Sequence, residues 1–256
     1  MRVRFPVLAA VLLLAAALPM AAEAKPKNPC EGKEAKQLLC PNLRIGPASE
    51  FYVENRGVGE VLLRATSDVR SRGRGPMELV GRRNGWRTMT TNQRIWRVGG
   101  GYKVVKSEAT LRFTDVGYQF GGAYWKVHQL ARFDLRPVEA DGSLGDPVRV
   151  SPKLNYCLRD LERTQPSAVS PIGRYYPACN QNPYRNRVTL GTSVGWSDIY
   201  PAPYHQQFIN VSGLSGCYAF EMTVDPLNNL YESNEDDNIS RRLVQLPYVG
   251  PGTAGC

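Results

Sequence analysis

Gln207-Phe208-Ile209-Asn210-Val211, then Ser212-Gly213-Leu214-Ser215-Gly216, then Cys217-Tyr218-Ala219-Phe220-Glu221-Met222-Thr223-Val224-Asp225 decide the fold class. The first run is short and β-prone. The second holds turn residues only. The third alternates apolar and polar positions, as a half-buried strand should. The same grammar recurs upstream in Val61-Leu62-Leu63-Arg64-Ala65-Thr66, Arg94-Ile95-Trp96-Arg97-Val98 and Tyr102-Lys103-Val104-Val105. It continues in Tyr124-Trp125-Lys126-Val127, Phe133-Asp134-Leu135-Arg136 and Pro147-Val148-Arg149-Val150. Turn residues separate these runs at Gly73-Arg74-Gly75-Pro76, Gly99-Gly100-Gly101 and Asp141-Gly142-Ser143. With 24 glycines and 19 prolines and no long segment of helical period, the expected class is an all-β sandwich. Residues 158–195 read as a long irregular loop, and loops of that length are more often functional than decorative.

The N-terminus has the form of an export signal. Arg2 and Arg4 precede an apolar run from Val7 to Leu18, and Ala22-Glu23-Ala24 fits a small-x-small cleavage site. The run is shorter than the ~20 apolar residues that a spanning helix needs. The expected organisation is a signal peptide at 1–24, an N-terminal arm at 25–40 and one domain at 41–256. All six cysteines, at 30, 40, 157, 179, 217 and 256, follow the expected leader. In an exported chain an even number argues for three disulfides. Fifteen pairings are possible, and we expect neighbours to pair: Cys30–Cys40, Cys157–Cys179 and Cys217–Cys256. A secreted or extracytoplasmic location follows, with no transmembrane segment after signal removal.

The formal net charge is +9, with a dense arginine run between Arg70 and Arg97 that includes Arg72, Arg74, Arg82, Arg83, Arg87 and Arg94. Such a face suits acidic cell-envelope polymers. Export and the lack of any nucleic-acid motif argue against DNA or RNA as a partner. No Gly-x-Ser-x-Gly, phosphate loop or Cys–His dyad is present.

Two segments resemble the catalytic domain of the lysyl oxidase family, its bacterial members most. Lys153-Leu154-Asn155-Tyr156-Cys157-Leu158-Arg159-Asp160 is similar to the family's Lys-x-x-Phe-Cys-Leu-Glu-Asp segment. Gly195-Trp196-Ser197-Asp198-Ile199-Tyr200 is similar to the segment that ends in the cofactor tyrosine. The resemblance implies a lysyl-oxidase-type β-sandwich with long irregular loops, in which Lys153 and Tyr200 are the precursors of lysine tyrosylquinone. It also implies copper held by alternating histidines on a strand, where residues two apart share a side. This chain has only His128 and His205. The expected histidine run falls on Tyr124-Trp125-Lys126, with His128 slightly displaced, so a lysine stands at a ligand position. His128, His205 and Tyr124 or Tyr204 are the residues left to hold copper. The resemblance further implies a structural calcium between Pro41-Asn42-Leu43 and the acidic loop at 232–238. Its expected ligands are Asn42, the Leu43 carbonyl, Glu232, Asn234, Asp237 and Asn238, since calcium takes six to eight oxygens.

Three functions follow as expectations. One is a secreted lysyl-oxidase-like protein, impaired or inactive as a copper and quinone amine oxidase, that acts as an extracellular binding or structural module. The second is an active copper-dependent oxidase of primary amines or protein lysines, releasing aldehyde, ammonia and hydrogen peroxide. The third is a cell-surface adhesion module for acidic polymers.

Overall fold

Some β-prone runs extend well beyond their sequence signals, as at 60–71 and 102–115, others shorten, as at 149–150 and 208–210, and residues the sequence left as connections join them. A computed structural model describes residues 27–250 and 256, so the expected signal at 1–24 lies outside the described residues. The strands in chain order are β1 (Leu38–Leu39), β2 (Leu43–Ile45), β3 (Ser49–Arg56), β4 (Glu60–Ser71), β5 (Met77–Arg83), β6 (Thr88–Arg97), β7 (Tyr102–Asp115), β8 (Ala123–Val127), β9 (Ala131–Pro137), β10 (Arg149–Val150), β11 (Arg187–Thr192), β12 (Ser197–Tyr200), β13 (Phe208–Asn210), β14 (Gly216–Val224) and β15 (Ile239–Leu246). Among the described residues the only helical turns are two short 3-10 segments, Glu34–Gln37 and Tyr118–Phe120. The fold is all-β, consistent with a sandwich or barrel-like arrangement.

Three antiparallel sheets form. The largest has the order β11-β5-β6-β7-β8, with β1 added to β6. A second runs β10-β9-β14-β15. The third is built on the long β4, whose first half pairs with β3 and β13 and whose second half pairs with β2 and β12. This strand therefore brings the early segment and the Tyr200 segment onto one backbone.

One core joins the three sheets. Leu63 and Val69 of β4 meet Met77, Leu79, Leu111 and Trp125 of the largest sheet and Phe133, Phe220 and Val244 of the second. The alternating burial of β7, with Ser107, Ala109, Leu111 and Phe113 inside, is the period-2 signature of a strand with one wet face. β14 departs from the half-buried expectation, because Tyr218 through Met222 are all buried. It is a central strand, and on its outer side the guanidinium of Arg136 on β9 and that of Arg241 on β15 donate to Glu221 at 3.1 and 2.6 Å. The arginine stems cover the carboxylate that the sequence leaves exposed. Residues 158–195 are mostly irregular, as expected, but end in β11, which pairs with β5. The three disulfides join neighbours: Cys30–Cys40, Cys157–Cys179 and Cys217–Cys256. No helix among the described residues is long and apolar enough to cross a membrane. Disulfides are compatible with an extracellular protein.

Candidate functional site

Lys153 and Tyr200, distant in sequence, meet inside the fold. Tyr200 ends β12, held against Ser67 of β4. Lys153 follows β10, where its backbone N–H donates to Ser151 Oγ at 3.0 Å. The next turn of chain is tied to β8 by paired bonds between Tyr156 and Val127. These anchors place Lys153 Nζ 3.9 Å from the Tyr200 ring centroid, 4.7 Å from that of Tyr156 and 5.0 Å from that of Tyr204. Lys153 is 1% exposed, and its Nζ has no hydrogen-bond partner. An amine in contact with ring faces gains a cation–π attraction but little hydrogen bonding. Burial, and then the positive charge of Lys126, push its pKa well below the usual lysine range.

Lys126 is the second buried amine. It lies two residues after Tyr124 on β8, so the two side chains share a face. Its Nζ is 4.8 Å from the Tyr124 ring centroid and 5.7 Å from those of Tyr200 and Tyr204. Burial lowers its pKa to about 8, against the attraction of Asp198. Asp198 sits two residues before Tyr200 on the same face of β12 and is fully buried. Its carboxylate accepts from the Leu158 N–H at 3.2 Å and from Arg159 Nε at 3.4 Å. Burial raises its pKa to about 6, and the nearby cations Arg159, Lys153 and Lys126 oppose that rise. Tyr200 is pushed well above the usual phenol range by burial and by Asp198. Its hydroxyl accepts the Cys157 N–H at 2.9 Å, which fixes the ring next to the Cys157–Cys179 disulfide.

The tyrosines form a cluster around these amines. Tyr156 stacks edge-on with Tyr200 at 4.6 Å, and its hydroxyl lies 2.8 Å from Ser67 Oγ, which also accepts from Gln207 Nε2 at 2.9 Å. Tyr124 and Tyr204 share a hydrogen bond between their hydroxyls. A cavity of about 240 Å³ leads to this cluster, lined by Tyr124, Tyr200, Tyr204, Arg159 and Cys179. In comparisons with known proteins, no family model matches the chain and no curated protein is significantly similar to it.

Of the residues left for copper, Tyr124 and Tyr204 meet, with His205 adjoining, but no contact joins His128 to them among the described residues. His128 Nδ1 lies 2.9 Å from Asn155 Oδ1, which also accepts the Gln129 N–H at 3.1 Å. That shared acceptor makes Nδ1 the donor and leaves Nε2 as the histidine's only ligand atom. His205 rests against Phe120, ring centroids 6.2 Å apart. Among the described residues no hydrogen bond or ring contact joins the two histidines, and the one group of three or more His, Cys, Asp or Glu side chains contains neither. Burial lowers the pKa of both, and for His205 the cations Lys126 and Lys153 lower it further. Lys126, with a pKa of about 8, and Arg159 set two cations against the single carboxylate of Asp198, and no contact joins the two imidazoles, so the residues present do not fit copper.

The acidic loop and the early segment do come together. Ser233 N–H donates to the Pro41 carbonyl at 2.9 Å, and the Leu43 N–H donates to Glu232 Oε2. Asn238 Nδ2 donates to Glu232 Oε1 at 3.3 Å and to Glu235 Oε2 at 3.2 Å. Asn42 Oδ1 and Asn238 Oδ1 are buried acceptors with no partner, and each residue is 5% exposed. Carboxylate oxygens of Asp225, Glu232 and Glu235 lie within 4.8 Å of one another. Burial and the charges of Glu235 and Asp225 push Glu232 well above the ordinary carboxylate range. Of the expected ligands, Glu232 belongs to this cluster and Asn238 bonds two of its carboxylates, whereas the amide nitrogen of Asn42 donates to Asp237. Asn234 Oδ1 instead accepts the Asp236 N–H in a local turn, and Asp237 pairs with Arg44 and Asn42. Leu43 engages through its N–H. Asp225 and Glu235 take the places that the sequence assigns to Asn234 and Asp237.

Sequence reasoning also passed over Asp198, Arg159 and Tyr156. The available signal was the two-residue spacing of Asp198 and Tyr200, which puts both on one face of a strand.

Proposed function

We propose that this chain is an exported lysyl-oxidase-like protein that keeps the Lys153–Tyr200 pair without efficient copper chemistry and acts as an extracellular binding or structural module. The observation that carries this reading is Lys126. Its amine stands among Tyr124, Tyr200 and Tyr204, beside Lys153, at the sequence position where the family's ligand run falls. A buried lysine there supplies the positive charge that a metal would otherwise bring, and with Asp198 it holds the tyrosine cluster in place. The site is then a piece of packed polar core.

A second reading, an active oxidase of primary amines, draws support from the 3.9 Å approach of Lys153 Nζ to the Tyr200 ring. Such an enzyme would release aldehyde, ammonia and peroxide. Peroxide release from a primary amine under copper-replete conditions, lost on Tyr200→Phe, would favour it over the module. Its absence supports the module. The adhesion reading is weaker for the full arginine run. Arg70 pairs with Asp68, Arg94 with Glu78, and Arg83 donates to the carbonyls of Gly85, Trp86, Pro183 and Arg185. These three hold the fold.

For the acidic loop we propose a structural calcium. The orphaned amide oxygen of Asn238, whose nitrogen bonds two of the three clustered carboxylates, and that of Asn42, next to the Leu43 N–H that donates to Glu232, are oxygens of the kind calcium takes. Bound there, the ion would tie the 232–238 loop to β2.

A further inference from the structure

Away from Lys153 and Tyr200, a groove runs between the end of β6, the turn at 72–76 and the loop at 165–176. Two cavities that share Leu39, Arg74, Val169 and Val194 make it up, of about 270 and 450 Å³. One end is aromatic and apolar, with Trp96, Tyr175, Tyr176, Pro76 and Pro171. The other carries Arg72 and Arg74. No Asp or Glu lines either part. Among the described residues neither arginine has a carboxylate partner, and Arg72 only donates weakly to the Gln165 carbonyl at 3.4 Å.

The aromatic end is held in place from beneath. Glu78, 2% exposed, accepts from Trp96 Nε1 at 3.2 Å, from the Tyr176 hydroxyl at 2.6 Å and from Arg94 at 2.8 Å. Asp160, fully buried, accepts the N–H groups of Tyr175 and Tyr176 at 2.8 and 3.1 Å and that of Ser193 at 2.6 Å. Gly191 leaves room for the Tyr176 ring against β11, since a Cβ there would meet the ring at 2.7 Å. Tyr175 stands edge-on to Trp96 at 6.1 Å and stays 60% exposed. Fixed aromatic walls suit a flat apolar body, and unpaired guanidiniums at one end suit an anion that accepts in pairs. A concave, mostly apolar cavity with a few convergent polar groups is the usual form of a small-ligand site.

We propose that this groove binds a small carboxylic acid with a flat apolar body, the ring against Trp96 and Tyr175 and the carboxylate on Arg72 and Arg74. The proposal is independent of how the Lys153–Tyr200 site is read. The test is calorimetric titration of the full exported chain with indole-3-propionate, its neutral amide, and a tripeptide ending in tryptophan with a free carboxylate. The acid is expected to bind, and the amide about tenfold or more weakly, the loss of a charge-assisted pair. The double variant Arg72→Gln/Arg74→Gln should bring the acid to the amide's level, and Tyr175→Ala should weaken both. These three side chains are exposed and carry no ion pair, so the variants should fold as the parent does. Equal binding of acid and amide, no binding of either, or indifference to the substitutions would overturn the site. Tighter binding of the tripeptide than of the acid would overturn the small acid as its occupant in favour of a chain terminus.

Discussion

Lys126→Met removes the amine that stands among the tyrosines while keeping an unbranched side chain of similar bulk, and the structure sets what this should do. The Lys126 pKa falls from 10.5 to about 8 in the folded protein. Between those values the unfolded chain binds more protons than the folded one, so stability rises with pH there. Below about pH 8 the full cost of the buried charge is present. A fall from 10.5 to about 8 is a cost of about 3 kcal/mol. Part of that gain is lost again, because the shorter thioether packs less against the rings. The variant should be more stable than the parent by about 1–3 kcal/mol at neutral pH, with the difference shrinking towards about pH 10. Denaturant unfolding of both proteins at the two pH values measures it. A variant less stable than the parent at neutral pH, or a difference that does not change with pH, would refute the reasoning. Either would mean that Lys126 is held by interactions that outweigh its burial.

Other outcomes follow from the same contacts. By the same linkage, Asp198, raised from 3.8 to about 6 by burial, carries a cost at neutral pH that is absent below about pH 4, so Asp198→Asn should raise stability at neutral pH by up to about 3 kcal/mol, with the gain shrinking towards pH 4, read by unfolding at both. Adding calcium at about a hundred times its dissociation constant should raise Tm by about 5–10 °C, and Asn42→Ala should reduce that rise. Removing the Cys157–Cys179 bridge by a double serine substitution should cost about 3 kcal/mol and loosen the segment whose main-chain N–H at 157 holds the Tyr200 hydroxyl, seen as a change in near-ultraviolet circular dichroism. Replacing Arg72, Arg74 and Arg82 should lower the salt concentration at which the protein leaves an anionic resin, whereas replacing Arg83 should unfold the edge it caps.

The strand class was legible because the alternation at 217–225 and the glycine turns are local signals. The strand partners were not. β4 pairs with four strands, and nothing in its own residues names them. β11 was hidden in a stretch whose polar residues read as loop, because only pairing with β5 makes it a strand. The burial of Glu221 was missed for the same reason, since arginines from two other strands cover it. At the candidate site, Lys153 and Tyr200 were visible through their flanking motifs. Asp198 was visible only as a residue beside one of them, and its importance comes from two lysines brought close by β8 and by the turn after β10. In the acidic loop, the meeting of 41–43 with 232–238 was anticipated. Which carboxylates cluster was not, because Arg44 draws Asp237 aside and Asp225 arrives from the end of β14.

The central claim is that the lysine and tyrosine sit together without becoming a quinone. Peptide mass spectrometry of protein exported in copper-supplemented medium tests it most directly. Unmodified peptides carrying Lys153 and Tyr200 are the predicted result. A covalent cross-link between those two residues would contradict the account and make the protein a copper amine oxidase despite Lys126.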